Sequence, residues 1–260
     1  MLQGHCHPRP AWANLPSRLM AEPFIQAVLF DFDGVMVDSE PLHLRLFQRV
    51  LAGDGIDLTR ELYYARYLHL DDEGLFRAVY EDTGRPVSEK HLHELVQRKE
   101  DIFMEEALHG EGQVRMFPGV ADLVRDLHHE GVPVAVASGA LASEINPILE
   151  HFGLRGCFTA VIGARECGRH KPHPEPYERA FGAMVTERTG TGPVPVITRA
   201  LAIEDSAGGL QSARAAGCRV MAVTNTYPAE RLRPLADVVV DRLPVTFGEL
   251  DRIARGDAST

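Results

Sequence analysis

Ala27-Val28-Leu29-Phe30-Asp31-Phe32-Asp33-Gly34-Val35 decides the fold. Four apolar residues in a row, with no polar alternation, fit a strand buried on both faces, as in a parallel sheet covered by helices. Two acids follow at once. Side chains at i and i+2 of a strand share a face, so Asp31 and Asp33 converge where the strand runs out. Like charges at that spacing repel unless a cation holds them. A divalent metal and a phosphate ester, offering an electrophile to one carboxylate and a leaving oxygen to the other, account for the pair as a working site.

Beyond this strand the pattern turns helical from about Leu42 to about Gly110. Leu42, Leu46, Val50 and Leu51 mark one helical face; Leu92, Leu95, Val96, Ile102 and Phe103 mark another behind Ser88 as N-cap. Both stripes read as core packing. From Pro118 the chain alternates: helix near 119–130, strand 133–137, helix near 142–152, strand near 159–162, helix near 174–188 and strand 200–203. A helix near 207–216 and strands near 219–223 and 237–240 follow, and Thr246-x-x-Glu249 caps a last helix. This is the rhythm of βαβ units, and it predicts an α/β fold with a doubly wound, Rossmann-like parallel sheet. The expected division is a flexible extension over 1–24, a core over 25–41 and 111–255, and a small helical domain over 42–110. Ligands of such sheets bind beyond the carboxyl ends of the strands. Asp31 and Asp33, Ser138 and Gly139, and Glu204 and Asp205 all follow predicted strands, and Lys171 precedes a helix.

The 260 residues suffice for one enzyme domain with an insertion, and 45% hydrophobic with 25% charged residues is ordinary for a folded protein. A formal net charge of -10 carries no footprint for nucleic acid or an anionic membrane, which favour clustered Lys and Arg. An acidic chain that binds a phosphate needs a local positive site instead. Cys6, Cys157, Cys167 and Cys218 are scattered without metal-ligand spacing and read as reduced thiols. His5-Cys6-His7 reads as incidental in a frayed terminus. The Pro-rich opening has no apolar h-region, and no stretch reaches the length of a membrane span, so a cytoplasmic protein is expected. Met20 is an alternative start.

Taken together, the motifs resemble the haloacid dehalogenase-like superfamily of phosphotransferases, in the subgroup with a helical cap inserted after the first motif. They are Asp31-Phe32-Asp33-Gly34-Val35-Met36-Val37-Asp38-Ser39, a second ending at Ser138, Lys171-Pro172-His173-Pro174-Glu175, and Glu204-Asp205-Ser206 followed by Gly208-Gly209. The resemblance covers residues 25 to about 245. It implies that Asp31 is the nucleophile and that Asp33 protonates the leaving oxygen and then activates water. Family members that cleave carbon–halogen or phosphonate bonds lack the second aspartate, so Asp33 points to phosphate esters. The resemblance also implies Mg2+ held by Asp31, the Asp33 carbonyl and Asp205, with Glu204 a ligand or a nearby partner. Ser138, the Gly139 N–H and Lys171 would hold the phosphoryl group.

Asp38-Ser39 fits either a helix cap or a substrate contact. His43 matches a histidine of some relatives but is read as a helix-surface residue. The loop Tyr67–Gly74 lies where sugar-phosphate mutases of the subgroup carry an arginine for a second phosphate, and this chain has Asp72 there. Arg66, Arg77, Arg98 and Lys99 remain available cationic groups in the helical unit, although charges on helices usually form solvated faces. The implied function is a magnesium-dependent phosphatase of a small phosphorylated metabolite, a sugar phosphate or phosphoglycolate, acting as a monomer or weak dimer. A β-phosphoglucomutase-like mutase is the alternative, and a non-catalytic binding module the third reading.

Overall fold

The computed structural model describes residues 23–68, 70–109, 114–187 and 194–257. The extension through residue 22, Cys6 with its flanking histidines, and the Gly110 end of the helical unit lie outside them. In chain order the strands are β1 (Ala27–Phe30), β2 (Val37–Asp38), β3 (Arg115–Met116), β4 (Val134–Ala137), β5 (Ala160–Ile162), β6 (Ala200–Glu204), β7 (Arg219–Val223) and β8 (Val238–Val240). The helices are α1 (Glu40–Ala52), α2 (Arg60–Leu62), α3 (Asp72–Asp82), α4 (Glu89–His109), α5 (Val120–His129), α6 (Ala142–His151), α7 (Glu175–Thr186), α8 (Ala207–Ala215), α9 (Ala229–Leu232) and α10 (Phe247–Arg255).

Six strands form one parallel sheet in the order β5-β4-β1-β6-β7-β8. The chain winds outward from β1 to β5, then returns to the other side of β1 with β6, so the strand order reverses between β1 and β6. That reversal opens the crevice where doubly wound sheets bind ligands. The two sheet faces follow the period of two. Val28, Phe30, Val134, Val136, Leu201 and Ile203 pack with Leu123 and Leu127 of α5, Ile148 of α6 and Leu250 of α10. Ala27, Ala135, Ala137, Ala200 and Ala202 line the opposite face against Tyr177, Ala180 and Met184 of α7 and Leu210 of α8. The small alanines on that side let α7 and α8 approach closely.

Helices α1, α3 and α4 build a separate apolar cluster around Phe47, Val50, Leu51, Phe76, Val79, Leu92 and Leu95. The stripes expected on α1 and α4 divide between two clusters. Leu42, Leu46 and Phe103, at the ends nearer the sheet, join the sheet-facing core, while Val50, Leu51, Leu92 and Leu95 stay within the helical unit. Ser88 does accept from the His91 N–H at 3.2 Å, and Thr246 from the Glu249 N–H at 3.3 Å. A feature the sequence does not announce is the antiparallel pair β2–β3, with Val37 opposite Met116 and Asp38 opposite Arg115. It ties together the chain segments that lead into and out of the helical unit.

Candidate active site

Asp31 leaves β1 and Glu204 ends β6, neighbouring strands in register from Ala27 and Ala200 to Phe30 and Ile203. The register continues one residue further and sets Asp31 beside Glu204, and Asp205 completes the group. One carboxylate oxygen from each of Asp31, Glu204 and Asp205 lies within 4.8 Å of the others, and all three residues are buried. Lys171 Nζ donates to Asp31 Oδ1 at 2.8 Å and to Glu204 Oε1 at 2.6 Å. The loop carrying this lysine is pinned. Gly168 N donates to Glu175 Oε1 at 2.9 Å, Glu175 N to His173 Nδ1 at 3.1 Å, and Ser212 Oγ to the His173 carbonyl at 2.6 Å.

Glu204 is completely buried and its oxygens are heavily used. Oε1 accepts from Lys171 and, at 2.9 Å, from the Tyr177 hydroxyl; Oε2 accepts from the N–H groups of Asp205 and Ser206 and from Ser206 Oγ at 3.1 to 3.3 Å. Two glycines make room for the acids. A Cβ at Gly209 would sit 1.7 Å from Glu204 Oε1. Gly34 has φ +77°, and a Cβ there would sit 1.9 Å from Asp205 Oδ2; only glycine meets both demands at that turn.

Asp33 lies beside this group but turns its carboxylate elsewhere. The turn after β1 closes through the N–H groups of Met36 and Val37 on the Phe32 carbonyl at 2.8 and 3.1 Å, which brings Ser39 back over Asp33. Ser39 Oγ donates to Asp33 Oδ1. Ser39 stands at the α1 N-cap position without a capping side-chain bond, so the structure uses it to orient Asp33. Ser138 is buried at the end of β4, and its Oγ accepts from the Ala140 N–H at 3.0 Å. Gly139 follows at the exposed rim, where an added Cβ would meet nothing within 4 Å. Glycine there leaves the mouth of the site open above its N–H.

The electrostatics follow from the crowding. Burial pushes the Asp31 carboxyl up to about 7, with Glu204 adding to the rise and Lys171 opposing it. Burial, then Glu204 and Asp31, raise Asp205 well above the usual carboxylate range. Burial also raises Asp33, against the Ser39 hydrogen bond and the charges of Lys99 and Lys171. Burial would lower Lys171, but Asp31 and Glu204 outweigh it and hold the ammonium charged. Three buried carboxylates against one lysine leave an excess of negative charge that a hard dication relieves, and carboxylate oxygens are the donors such an ion selects.

Several members of this neighbourhood are silent in the sequence. Tyr177 lies in the first turn of α7 and reads as core. Lys99 is buried rather than solvated, and its Nζ donates to both Asp72 oxygens at 2.6 and 2.7 Å. His43 is not a free surface histidine either. It stacks on Phe103 with ring centroids 4.9 Å apart, and burial with the nearby Lys99 charge lowers its pKa well below 6.5. Among the described residues, Cys157, Cys167 and Cys218 are free thiols, and no helix is long and apolar enough to cross a membrane.

A doubly wound sheet with an acid–lysine cluster at its reversal point and a helical unit inserted after the first strand define an α/β architecture of hydrolase type. The chain belongs to the haloacid dehalogenase-like hydrolase family, whose model matches residues 28–223. It is 30% identical over 220 residues to the plasmid protein CbbY of Cupriavidus necator, covering 79% of this chain and 81% of that one. It is 29% identical over 223 residues to the phosphoglycolate phosphatase of Escherichia coli K12, covering 78% and 82%. A crystal structure of a CbbY mutant from Rhodobacter sphaeroides in complex with xylulose-(1,5)bisphosphate superposes with a TM-score of 0.71 at 26% identity, covering 84% of this chain and 94% of that one. A β-phosphoglucomutase from Clostridium difficile shares the fold, with a TM-score of 0.71 at 19% identity.

Proposed function

We propose that this chain is a magnesium-dependent phosphatase of a small phosphorylated metabolite, a sugar phosphate or phosphoglycolate-like ester, working through an aspartyl-phosphate on Asp31. The observation that carries this reading is the buried cluster in which Lys171 bridges Asp31 and Glu204 beside Asp205. Asp31 attacks phosphorus, the bond to the leaving oxygen breaks, and Asp33 gives that oxygen a proton. Asp33 then takes a proton from a water whose oxygen attacks the same phosphorus, releasing phosphate and regenerating Asp31. A carboxyl with a raised pKa suits that exchange, and the Ser39 hydroxyl fixes where it points. Lys171 neutralises charge on the phosphoryl oxygens, and Ser138 with the Gly139 N–H orients them.

Asp31, Asp205 and the Asp33 carbonyl would hold the magnesium ion. Glu204, with both oxygens occupied by protein donors, acts best from behind by fixing Lys171 and the Asp205 backbone. When bound, magnesium shields Asp31 from the anionic substrate and takes up charge on the transferring group. Residues 42–110 serve as the cap and 25–41 with 111–255 as the catalytic core. The protein works as a cytoplasmic monomer or weak dimer, without nucleic-acid or membrane partners.

The test is inorganic phosphate release from a panel of sugar phosphates, polyol phosphates and phosphoglycolate, with magnesium or with chelator. Metal-dependent release is expected. Isomerisation of β-glucose 1-phosphate without release would establish a mutase instead, and inactivity on every ester would leave a binding module.

A further inference from the structure

Thr224-Asn225-Thr226-Tyr227-Pro228, the loop between β7 and α9, has the composition of a surface turn. In such turns Asn and Thr ordinarily bond their own backbone. Here Asn225 and Thr226 are exposed, yet both direct polar groups inward to the carboxyl ends of β1 and β6. Asn225 Nδ2 donates to the Gly34 carbonyl at 2.8 Å, across 191 residues of chain. A side chain on Gly34 would begin 2.8 Å from Thr226 Oγ1 and 1.9 Å from Asp205 Oδ2, so hydroxyl and carboxylate meet over that bare Cα. The Thr226 hydroxyl is hydrogen-bonded to the Asp205 side chain. The loop is itself anchored. Thr224 N donates to the Val240 carbonyl and Thr224 Oγ1 to Asp241 Oδ1, both at 3.1 Å, and the Arg231 guanidinium lies 4.7 Å from the centroid of the Tyr227 ring.

These contacts complete the turn after β1. The Gly34 N–H donates to the Val37 carbonyl at 2.9 Å. In a trans peptide the carbonyl and the N–H point in opposite directions, so this bond aims the Asp33 carbonyl away from Val37. Asn225 holds the oxygen of the next peptide. With the peptides on both sides of Gly34 fixed, its φ of +77° is fixed too, and the Asp33 carbonyl keeps one direction. Asp205 is held in the same manner. Its N–H donates to Glu204 Oε2 at 3.1 Å while Thr226 engages its carboxylate. One loop therefore orients two of the three groups proposed to hold magnesium.

Resting on the phosphatase reading and its magnesium site, we infer that Asn225 and Thr226 are positioning residues of the metal centre. Asn225 fixes the turn that presents the Asp33 carbonyl, and Thr226 aims the Asp205 carboxylate. The β7–α9 loop thereby sets the affinity for magnesium rather than the affinity for substrate.

Magnesium chloride is titrated calorimetrically into the substrate-free full-length protein, as wild type, Asn225→Ala, Thr226→Val and Thr226→Ser, and metal-free melting temperatures are measured alongside. Groups that orient metal ligands govern affinity by about 10–100-fold, so the Kd for magnesium should rise about tenfold or more in Asn225→Ala and in Thr226→Val. Thr226→Ser, which keeps the hydroxyl, should stay within about twofold of wild type if orientation by that hydroxyl is what matters. Both positions are exposed, so the metal-free variants should melt close to wild type. At saturating magnesium the KM for para-nitrophenyl phosphate should match wild type. A wild-type Kd in folded Asn225→Ala and Thr226→Val overturns this inference alone, as does a Thr226→Ser that binds as weakly as Thr226→Val. A wild type that takes up no magnesium overturns the metal-dependent phosphatase reading and this inference with it.

Discussion

Asp31 and Asp33 stand two residues apart and hold different partners, and that difference supports the proposed division of their work. Asp31 is bonded to Lys171 across the crevice, whereas Asp33 accepts from Ser39 of its own turn. A nucleophile needs its charge balanced and its oxygen aimed; a proton shuttle needs a pKa lifted toward neutrality and a fixed direction. Ser39→Ala should therefore lower kcat about tenfold while leaving KM nearly unchanged, consistent with losing a hydrogen bond to a charged group worth about 1.5–3 kcal/mol. Steady-state kinetics on a monophosphate would check it, and a change confined to KM would refute the orienting role. The clustering of Asp31, Glu204 and Asp205 was legible in the sequence because their positions follow from strand ends. Ser39 on Asp33, Tyr177 on Glu204 and Lys99 on Asp72 were not, because each contact joins residues whose meeting is decided by the fold. Lys99 sits in the charged run Arg98-Lys99-Glu100-Asp101, where local pattern says surface and only packing says interior.

At the scale of elements, the strands of the large sheet were legible nearly to the residue, since runs such as Val134–Ala137 and Ala200–Ile203 are apolar throughout and bounded by polar turns. Strands β2 and β3 carry no such signal, being two residues long, yet they tie the entry and exit of the helical unit together. Helix α1 begins at this seam with Glu40, which accepts from the Tyr63 hydroxyl, and α6 begins with Glu144 in its first turn, accepting from the Leu141 N–H at 3.3 Å. Burial pushes each of these carboxyls up to about 7. An unfolded chain releases those protons near the ordinary glutamate value of about 4.3. Between that value and about 7 the folded state holds protons the unfolded state has lost, so stability falls as pH rises through the window and then levels. Melting temperatures measured with chelator from pH 4.5 to 8 should show that decline, and Glu40→Gln should make it shallower. An identical slope in the variant would mean that Glu40 is ionised in the folded protein.

Over the whole molecule, a chain with net charge -10 sets a buried lysine among its clustered carboxylates. Lys171 is held inside by Asp31 and Glu204, and the carboxylates around it leave the metal-free site short of positive charge. Magnesium should raise the melting temperature of the wild type by several degrees at saturating concentration, because an ion that binds only the folded state adds about 2.7 kcal/mol at a hundredfold excess over Kd. Asp205→Asn should lose that response, and its metal-free form should melt no lower than metal-free wild type, since one of three crowded acids has been removed. A full magnesium shift in the variant would take Asp205 out of the ligand set. The central claim, that phosphorus passes through Asp31, is tested most directly by acid quenching Asp33→Asn during reaction with para-nitrophenyl phosphate, whose leaving group needs little proton help, and locating the label by peptide mass. The account predicts that the peptide containing Asp31 carries one phosphoryl group that accumulates because water is no longer activated, and that Asp31→Asn/Asp33→Asn carries none. A phosphoryl group on any other residue, or Asp31→Asn that still turns over, would contradict it.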